Sequence, residues 1–506
     1  MEEGTQVEKT DVLISGLGPV GAALAVYLGG LGIAAIAIDR DTSVYPMPRA
    51  AHIDHETMRL LHLAGGAEAV SRASQPLSAY EFRSRDGSLL IGFRPGEVVT
   101  ATGFPQSSMF HQPTLEHALR ARLGEIPGVS ARLGHALKSY TADDESVIAE
   151  IEGPDGVYRI EAKYLVGCDG GQSIVRRIAG IALDDMGFDE PWLVIDARLK
   201  DGRERLTTIG LQQCDPQRPV TSVPMSPGRH RWEFMLRPGE KPEEVVADSF
   251  IDELLRPFVD PASVEIDRRA VYRFHAVIAK EWRKGRVMLA GDAAHQMPPF
   301  LGQGLCSGTR DAANLAWKLA AVIHGHAGES LLDSYQTERE PHVRAITEMA
   351  VFMGKIVCTQ NEEEAAARDR DMLSRPESER FVQMVDTVGL KSGVLRGDDL
   401  AGSIFPEPWL RSGEGRKRLD DVAGLAPVLI FREGGETAAS SFREAGGFAV
   451  ALSDPSLVDE GNRIKSMLAE AEAVLARPDR YVFGRGKASD LVSAWNAYLE
   501  SGALPA

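Results

Sequence analysis

DVLISGLGPVGAALAVYLGGLGIAAIAID, residues 11–39, divides into strand, turn, helix and strand. DVLIS (11–15) and IAAIAID (33–39) are short apolar runs of the length of buried strands. AALAVYLGGLG, between them, reads as a helix closed by glycine. The turn places Gly16, Gly18 and Gly21 at GxGxxG spacing around Pro19 and Val20, with Asp39 and then Arg40 at the end of the second strand. Each glycine has a separate task. The first permits the tight turn, the second lets a pyrophosphate approach the backbone, and the third lets helix and strand pack closely. The helix N-terminus turns its partial positive charge toward phosphates. Asp39 is placed to accept from a ribose hydroxyl. The expectation is a Rossmann-like β-α-β unit that binds a dinucleotide.

Val12 to Ile38 carries no charge and is long enough to cross a bilayer. Its six glycines and Pro19 fall at turn positions, however, so a buried β-α-β unit is the expectation and no membrane is. The N-terminus, MEEGTQVEKTD, is acidic and polar, unlike a secretory signal. A net charge of −17 argues against nucleic acid, which selects a basic face. Cys168, Cys214, Cys306 and Cys358 are scattered, with no metal-ligand spacing, and read as reduced thiols of a cytoplasmic protein without a metal.

The rest of the chain divides by pattern. Residues 1–185 form the nucleotide domain, and 281–345 return to it. Between them, 186–280 alternate as strands (WLVIDARL, LTTIGLQQ, RWEFML, VYRFHAVIA) and read as a mostly antiparallel inserted sheet, joined by 75–105 through AYEFRSRDGSLLIGF. Residues 346–400 read as a helical connector in which NEEEAAARDRD is a solvated helix face. From 401 a small α/β unit follows. APVLIF, GFAVAL and RYVFG read as its strands, NRIKSMLAEAEAVLA as a helix, and SDLVSAWNAYLESG as a last helix capped by Ser489.

A second glycine-rich stretch, GDAAHQMPPFLGQG (291–304), follows the buried run GRVMLAGD, and its acid, Asp292, reads as buried. Asp292 closes a strand expected in the same sheet as Val12–Ser15, and ligands of such sheets bind beyond the strands' carboxyl ends. A long dinucleotide would bridge the two motifs. FAD has that length: adenosine at Gly16–Asp39, the ribityl chain at Asp292, and the ring over Gly302, Gln303, Gly304 and Leu305. The helix starting near Cys306 would direct its N-terminus at the ring.

A third motif, VGCDGGQSIVRR, carries Asp169, Gly170, Ser173 and Arg176 as DGxxSxxR. With GxGxxG before it and Gly291–Asp292 after it, the chain resembles the class A, single-component FAD-dependent aromatic hydroxylases. It is most similar to the 3-(3-hydroxyphenyl)propionate hydroxylases, in YPMPRAAHIDHETMRLL, LVGCDGGQSIVRR, CDPQRPV, RWEFMLRPGE, RVMLAGDAAHQMPPFLGQG and RDAANLAWKLA. Cys306 stands where many relatives have Asn. The tail from 401 resembles a thioredoxin-like domain but has no Cys, so it has no thiol chemistry.

The resemblance implies FAD with NADH or NADPH as co-substrate, dioxygen, a small phenolic substrate and a homodimer. It implies hydroxylation ortho to a phenol oxygen through a flavin hydroperoxide, on 3-(3-hydroxyphenyl)propionate or a similar phenolic acid. It places Arg49 near the FAD pyrophosphate, Gln112 on the FAD chain, and Asp169 at a motif tied to both FAD and the nicotinamide. His52 would lie beside the substrate ring as base or wall, and Pro298 would offer its carbonyl to the reacting hydroxyl. Arg231, Trp232 and Tyr272 would lie on the roof strands, only some of them facing inward. An arginine there would suit a substrate carboxylate. A polyketide-tailoring hydroxylase or Baeyer–Villiger oxygenase keeps the same fold, and an NAD-dependent dehydrogenase without flavin would use the first motif alone.

Overall fold

The computed structural model describes residues 7–98, 100–200, 206–382, 388–413 and 415–501. The fingerprint segment folds as strand Glu8–Ser15, helix Pro19–Gly30 and strand Ala35–Asp39. Pro19 opens the helix, where its missing N–H and fixed φ cost nothing. The two strands pair in parallel within an eight-stranded sheet. On the other side of Glu8–Ser15 lies Gly156–Gly167, then Val287–Leu289, both parallel to it. The strand leading to Asp292 therefore shares a sheet with the fingerprint strand, and its carboxyl end reaches the same crevice. Helix Gly304–Ile323 packs on this sheet beside Pro19–Gly30. Among the described residues no helix is long and apolar enough to cross a membrane.

The second eight-stranded sheet runs His295–Gln296, Val264–Ala279, Leu183–Leu199, Arg229–Met235, Val220–Pro224, Gly210–Cys214, Tyr80–Ser84 and Leu89–Phe93. All its pairings are antiparallel except Gly210–Cys214 with Tyr80–Ser84. Period-two alternation divides its faces. Along Arg229–Met235, Trp232 and Phe234 enter an apolar cluster with Leu193, Ile195, Ile251 and Leu255, while Arg231 and Glu233 face the opposite way, into a cavity.

Near the C-terminus, strands Phe448–Ala451, Val428–Phe431, Ala473–Ala476 and Val482–Gly486 form a mixed sheet in that order. Two expectations are corrected here. NRIKSMLAEAEAVLA is not one helix. The helix stops at Leu468, Ala469 takes a positive φ of 46°, and Ala473–Ala476 becomes a strand against Val428–Phe431. The alanines favour a helix locally, but two strand partners outweigh propensity. Ser489 is not the cap of the last helix, which starts at Ala488; its hydroxyl meets Asp490 instead. Buried ion pairs join this unit to the nucleotide domain. Arg59 and Arg480 converge on Asp420, and Lys318 and Arg477 on Glu338.

Candidate active site

A cavity of about 710 Å³ runs between the two sheets. At one end lie Ser15, Gly16, Gly18, Pro19, Val20, Asp39 and Arg40. Gly16 has φ +102°, and a Cβ there would lie 2.3 Å from the Cys168 carbonyl oxygen, so no other residue fits this turn. Gly21 lies outside the lining: its Cβ would meet the Gly16 carbonyl at 2.0 Å, which identifies it as the packing glycine. The Asp39 carboxylate accepts from the Leu17 amide (2.8 Å) and the Asp41 amide (3.0 Å) and still borders the cavity. Gln112 accepts from the amides of Arg49 (3.0 Å) and Ala50 (2.7 Å) and donates to Glu116. It thus fixes the turn that carries Arg49 to the cavity wall.

The other two motifs meet at mid-cavity. Asp169 accepts from the amides of Ile174 and Val175, while its Oδ1 is buried without a partner. Burial raises this acid above the ordinary carboxylate range. Arg176 links the motifs, donating to the carbonyls of Gly171 (2.7 Å) and Ala293 (2.8 Å). Asp292, expected to be buried, instead opens onto the cavity. Recessed from bulk water, its carboxyl is raised too, against the pull of His295 and Arg49. Gly291 turns the chain behind it with φ +61° and donates its amide N–H to Asp311.

Beyond Asp292 the cavity reaches Gly302, Gly304 and Leu305 at the start of helix Gly304–Ile323. Gln303 is not in the lining. Its amide group donates to Asp54 (3.0 Å) and accepts from Arg310 (3.0 Å), and Arg310 also holds Asp54 and Glu56. This buried lattice fixes the GQG turn. Asp54, Glu56 and Arg310 were missed in the sequence, although an Asp before an apolar helix is a cap signal, and Asp54 does cap Thr57. Cys306 is buried, with its sulfur 3.7 Å from the Gly302 carbonyl oxygen.

His52 lines the cavity and is 9% exposed. Its Nδ1 lies 3.2 Å from the Gly302 carbonyl and its Nε2 2.7 Å from Ser107 Oγ. A carbonyl can only accept, so Nδ1 carries the proton and Nε2 accepts from the Ser107 hydroxyl. Burial holds His52 below its ordinary value and keeps it neutral. Ser107, which also lines the cavity, has no motif around it and was missed.

The roof divides the three residues expected on its strands. Arg231 faces the cavity but is occupied. It holds Asp196 through Nε (2.6 Å) and Nη2 (2.9 Å), and the carbonyls of Pro48 (2.6 Å) and Arg49 (2.8 Å). Trp232 lies on the reverse face, and Tyr272 is outside the lining with the Arg268 guanidinium 4.5 Å above its ring. Strand alternation turns Trp232 away, which residue type alone does not reveal, whereas Tyr272 shares the face of Phe274 and lies beyond the lining. Pro298 is buried and outside the lining; Met297 and Pro299 border the cavity instead.

The family model described as FAD binding domain matches residues 9–350, which include all three motifs. The chain belongs to the class A FAD-dependent aromatic hydroxylases. It is 36% identical to the probable NADH-specific resorcinol 4-hydroxylase of Rhodococcus jostii, over 97% of this chain and 96% of that one. It is 34% identical to the 3-(3-hydroxy-phenyl)propionate/3-hydroxycinnamic acid hydroxylase of Mycolicibacterium smegmatis, over 94% of this chain and 90% of the relative. Among solved structures, aklavinone-11 hydroxylase with FAD and aklavinone superposes with a TM-score of 0.81 at 25% identity, covering 97% of this chain and 99% of that one. The hydroxylase therefore uses FAD and dioxygen on a small aromatic substrate. Its residues fit FAD on their own terms: a Cβ at Gly18 would meet nothing within 4 Å, so the backbone is open to a pyrophosphate, and Asp292 offers a carboxylate to a polyhydroxyl chain.

Proposed function

We propose that the enzyme hydroxylates a phenol ortho to its hydroxyl, consuming NADH, with the ring held between Gly302–Leu305 and the roof sheet. Gly16, Gly18, Pro19, Val20, Asp39, Arg40 and Arg49 would hold the ADP half of FAD, with Gly21 and Gln112 fixing the turns behind them. Asp292 would bind the ribityl chain, and Gly302, Gly304 and Leu305 the ring. Asp169 is an architectural residue. When bound, FAD accepts hydride from the nicotinamide and activates dioxygen; the chain supplies position, dryness and proton handling.

The observation that carries this reading is the His52–Ser107 pair in the wall beside the Gly302 turn. The Ser107 proton points at His52 Nε2, so its oxygen lone pairs are available to a phenol O–H. As the phenol proton moves to Ser107 Oγ, the serine proton moves to Nε2. The Gly302 carbonyl steadies the resulting imidazolium, and the phenol gains the electron density that favours ortho attack. NADH as reductant and phenol as substrate are supported by the similarity to the resorcinol and hydroxyphenylpropionate hydroxylases. We read residues 401–506 as thioredoxin-like, supported by a sheet whose first two strands are parallel and whose last two are antiparallel to their neighbours. We keep the division into nucleotide domain (1–185 and 281–345), substrate sheet (186–280) and connector (346–400).

The test is NADH oxidation by the FAD-loaded enzyme with and without a phenol, counting peroxide. Strong stimulation with little peroxide is expected. A flavin-bound enzyme that no phenol stimulates would refute the reading.

A further inference from the structure

Among the described residues of the lining, the roof carries one acid, Glu233, and the cation beside it is already engaged. Glu233 faces the cavity and is 5% exposed. Its neighbour Arg231 is already held by Asp196 and two carbonyls, and Arg231 Nη1 stands 3.8 Å from the Glu233 carboxylate, beyond a hydrogen bond. Thr221, opposite Glu233 on the next strand, donates to Gln212 Oε1 at 2.8 Å, and Gln212 donates to the Tyr80 hydroxyl at 2.5 Å. Thr221 and Glu233 thus meet the cavity with acceptors, and Tyr80, which accepts from Gln212, keeps its own O–H to donate. The other described cations of the lining are not neighbours of Glu233: Arg40, Arg49 and Arg120 lie at the fingerprint end, Lys138 and Arg177 near the second motif, and Arg273, on the roof strand Val264–Ala279, is half-exposed against Asp189.

We propose that Glu233 selects the substrate by accepting a hydrogen bond from an uncharged O–H or N–H on the ring, remote from the hydroxyl handled by Ser107. The substrate class is then a neutral dihydroxy- or aminohydroxyarene, not a phenol bearing a carboxylate. A second carboxylate beside Glu233 would be desolvated without a cation to answer it, which disfavours it strongly. This inference rests on the phenol-hydroxylase reading and refines it.

The test compares resorcinol, phenol and 3-(3-hydroxyphenyl)propionate on the FAD-loaded enzyme with NADH. KM and kcat are measured for each, and dissociation constants come from the flavin absorbance change. The wild-type enzyme is expected to favour resorcinol over the propionate by about tenfold or more in kcat/KM. Glu233→Gln should weaken resorcinol by about tenfold, the loss of one charge-assisted hydrogen bond, and leave phenol within about twofold. Wild-type preference for the propionate, including one that emerges only as pH falls and Glu233 takes up a proton, would overturn the proposal. So would equal weakening of resorcinol and phenol by Glu233→Gln. The wild-type comparison decides even if the variant does not fold. Failure of all three compounds to stimulate NADH oxidation would instead sink the phenol reading itself.

Discussion

At one end of the cavity, the Asp39 carboxylate is held by main-chain amides no more than 22 residues away. At the other, Arg231 reaches the carbonyl of Pro48, 183 residues distant, and His52 leans on Gly302, 250 residues distant. The cofactor end is local chain chemistry: a turn, a helix terminus and an acid in one β-α-β unit. The substrate end is a tertiary assembly of short pieces from both sheets and the GQG turn. Local sites survive changes in distant packing, whereas assembled sites depend on it.

The hardest way to break this contrast is to cut a distant support of the substrate end. Arg59 lies on helix His55–Leu63, directly after the strand that carries His52, and is held by Asp420 from 361 residues away. Asp420→Ala leaves Arg59 and Arg480 buried without their acid. It should cost about 3–5 kcal/mol in urea unfolding, the range for breaking a buried ion pair. Flavin should still bind to the fraction that folds.

The second test acts on the cofactor site at mid-cavity. Asp292→Ala should weaken FAD by roughly 10–100-fold, as expected for losing a hydrogen bond to a charged group, read from the fluorescence of released flavin. Unfolding should change little, because Asp292 opens onto the cavity and is not packed in the core.

The smallest effect concerns the reverse face of the roof. His230 is buried against Trp232 and its pKa is pushed down to about 3 by burial. A histidine depressed in the folded state contributes stability that is complete above the unfolded value near 6.5 and declines as pH falls toward 3. In that window His230 should remove about 1.4 kcal/mol per pH unit. The acid-side slope of the stability curve should be shallower by about that amount in His230→Gln than in the wild type. An unchanged slope would show that His230 takes up its proton without cost.

Legibility in the sequence follows the same division. The fingerprint, DGxxSxxR and GD motifs were readable because turn geometry and close approach demand particular residues at fixed spacing, as the 2.3 Å clearance at Gly16 shows. The inserted sheet was readable from alternation. The roles of its side chains were not, because a one-residue shift exchanges faces. That is why Arg231 and Trp232 divide between cavity and core, and why Glu233 passed unnoticed. Ser107 and Arg310 gain their meaning only from partners 55 and 256 residues away. In the tail, alanine-rich 469–476 looked helical because its strand partners are not in view locally.

The most direct test of the account is the ratio of hydroxylated product to NADH consumed by Ser107→Ala, beside its bound-flavin absorbance. The account expects full FAD occupancy, a hydroxylation rate lower by about 100-fold, within the usual range for acid–base assistance, and most reducing equivalents leaving as hydrogen peroxide. Wild-type coupling in Ser107→Ala with its flavin intact would contradict it, since the cavity would then activate the phenol without the pair that links the GQG turn to the substrate.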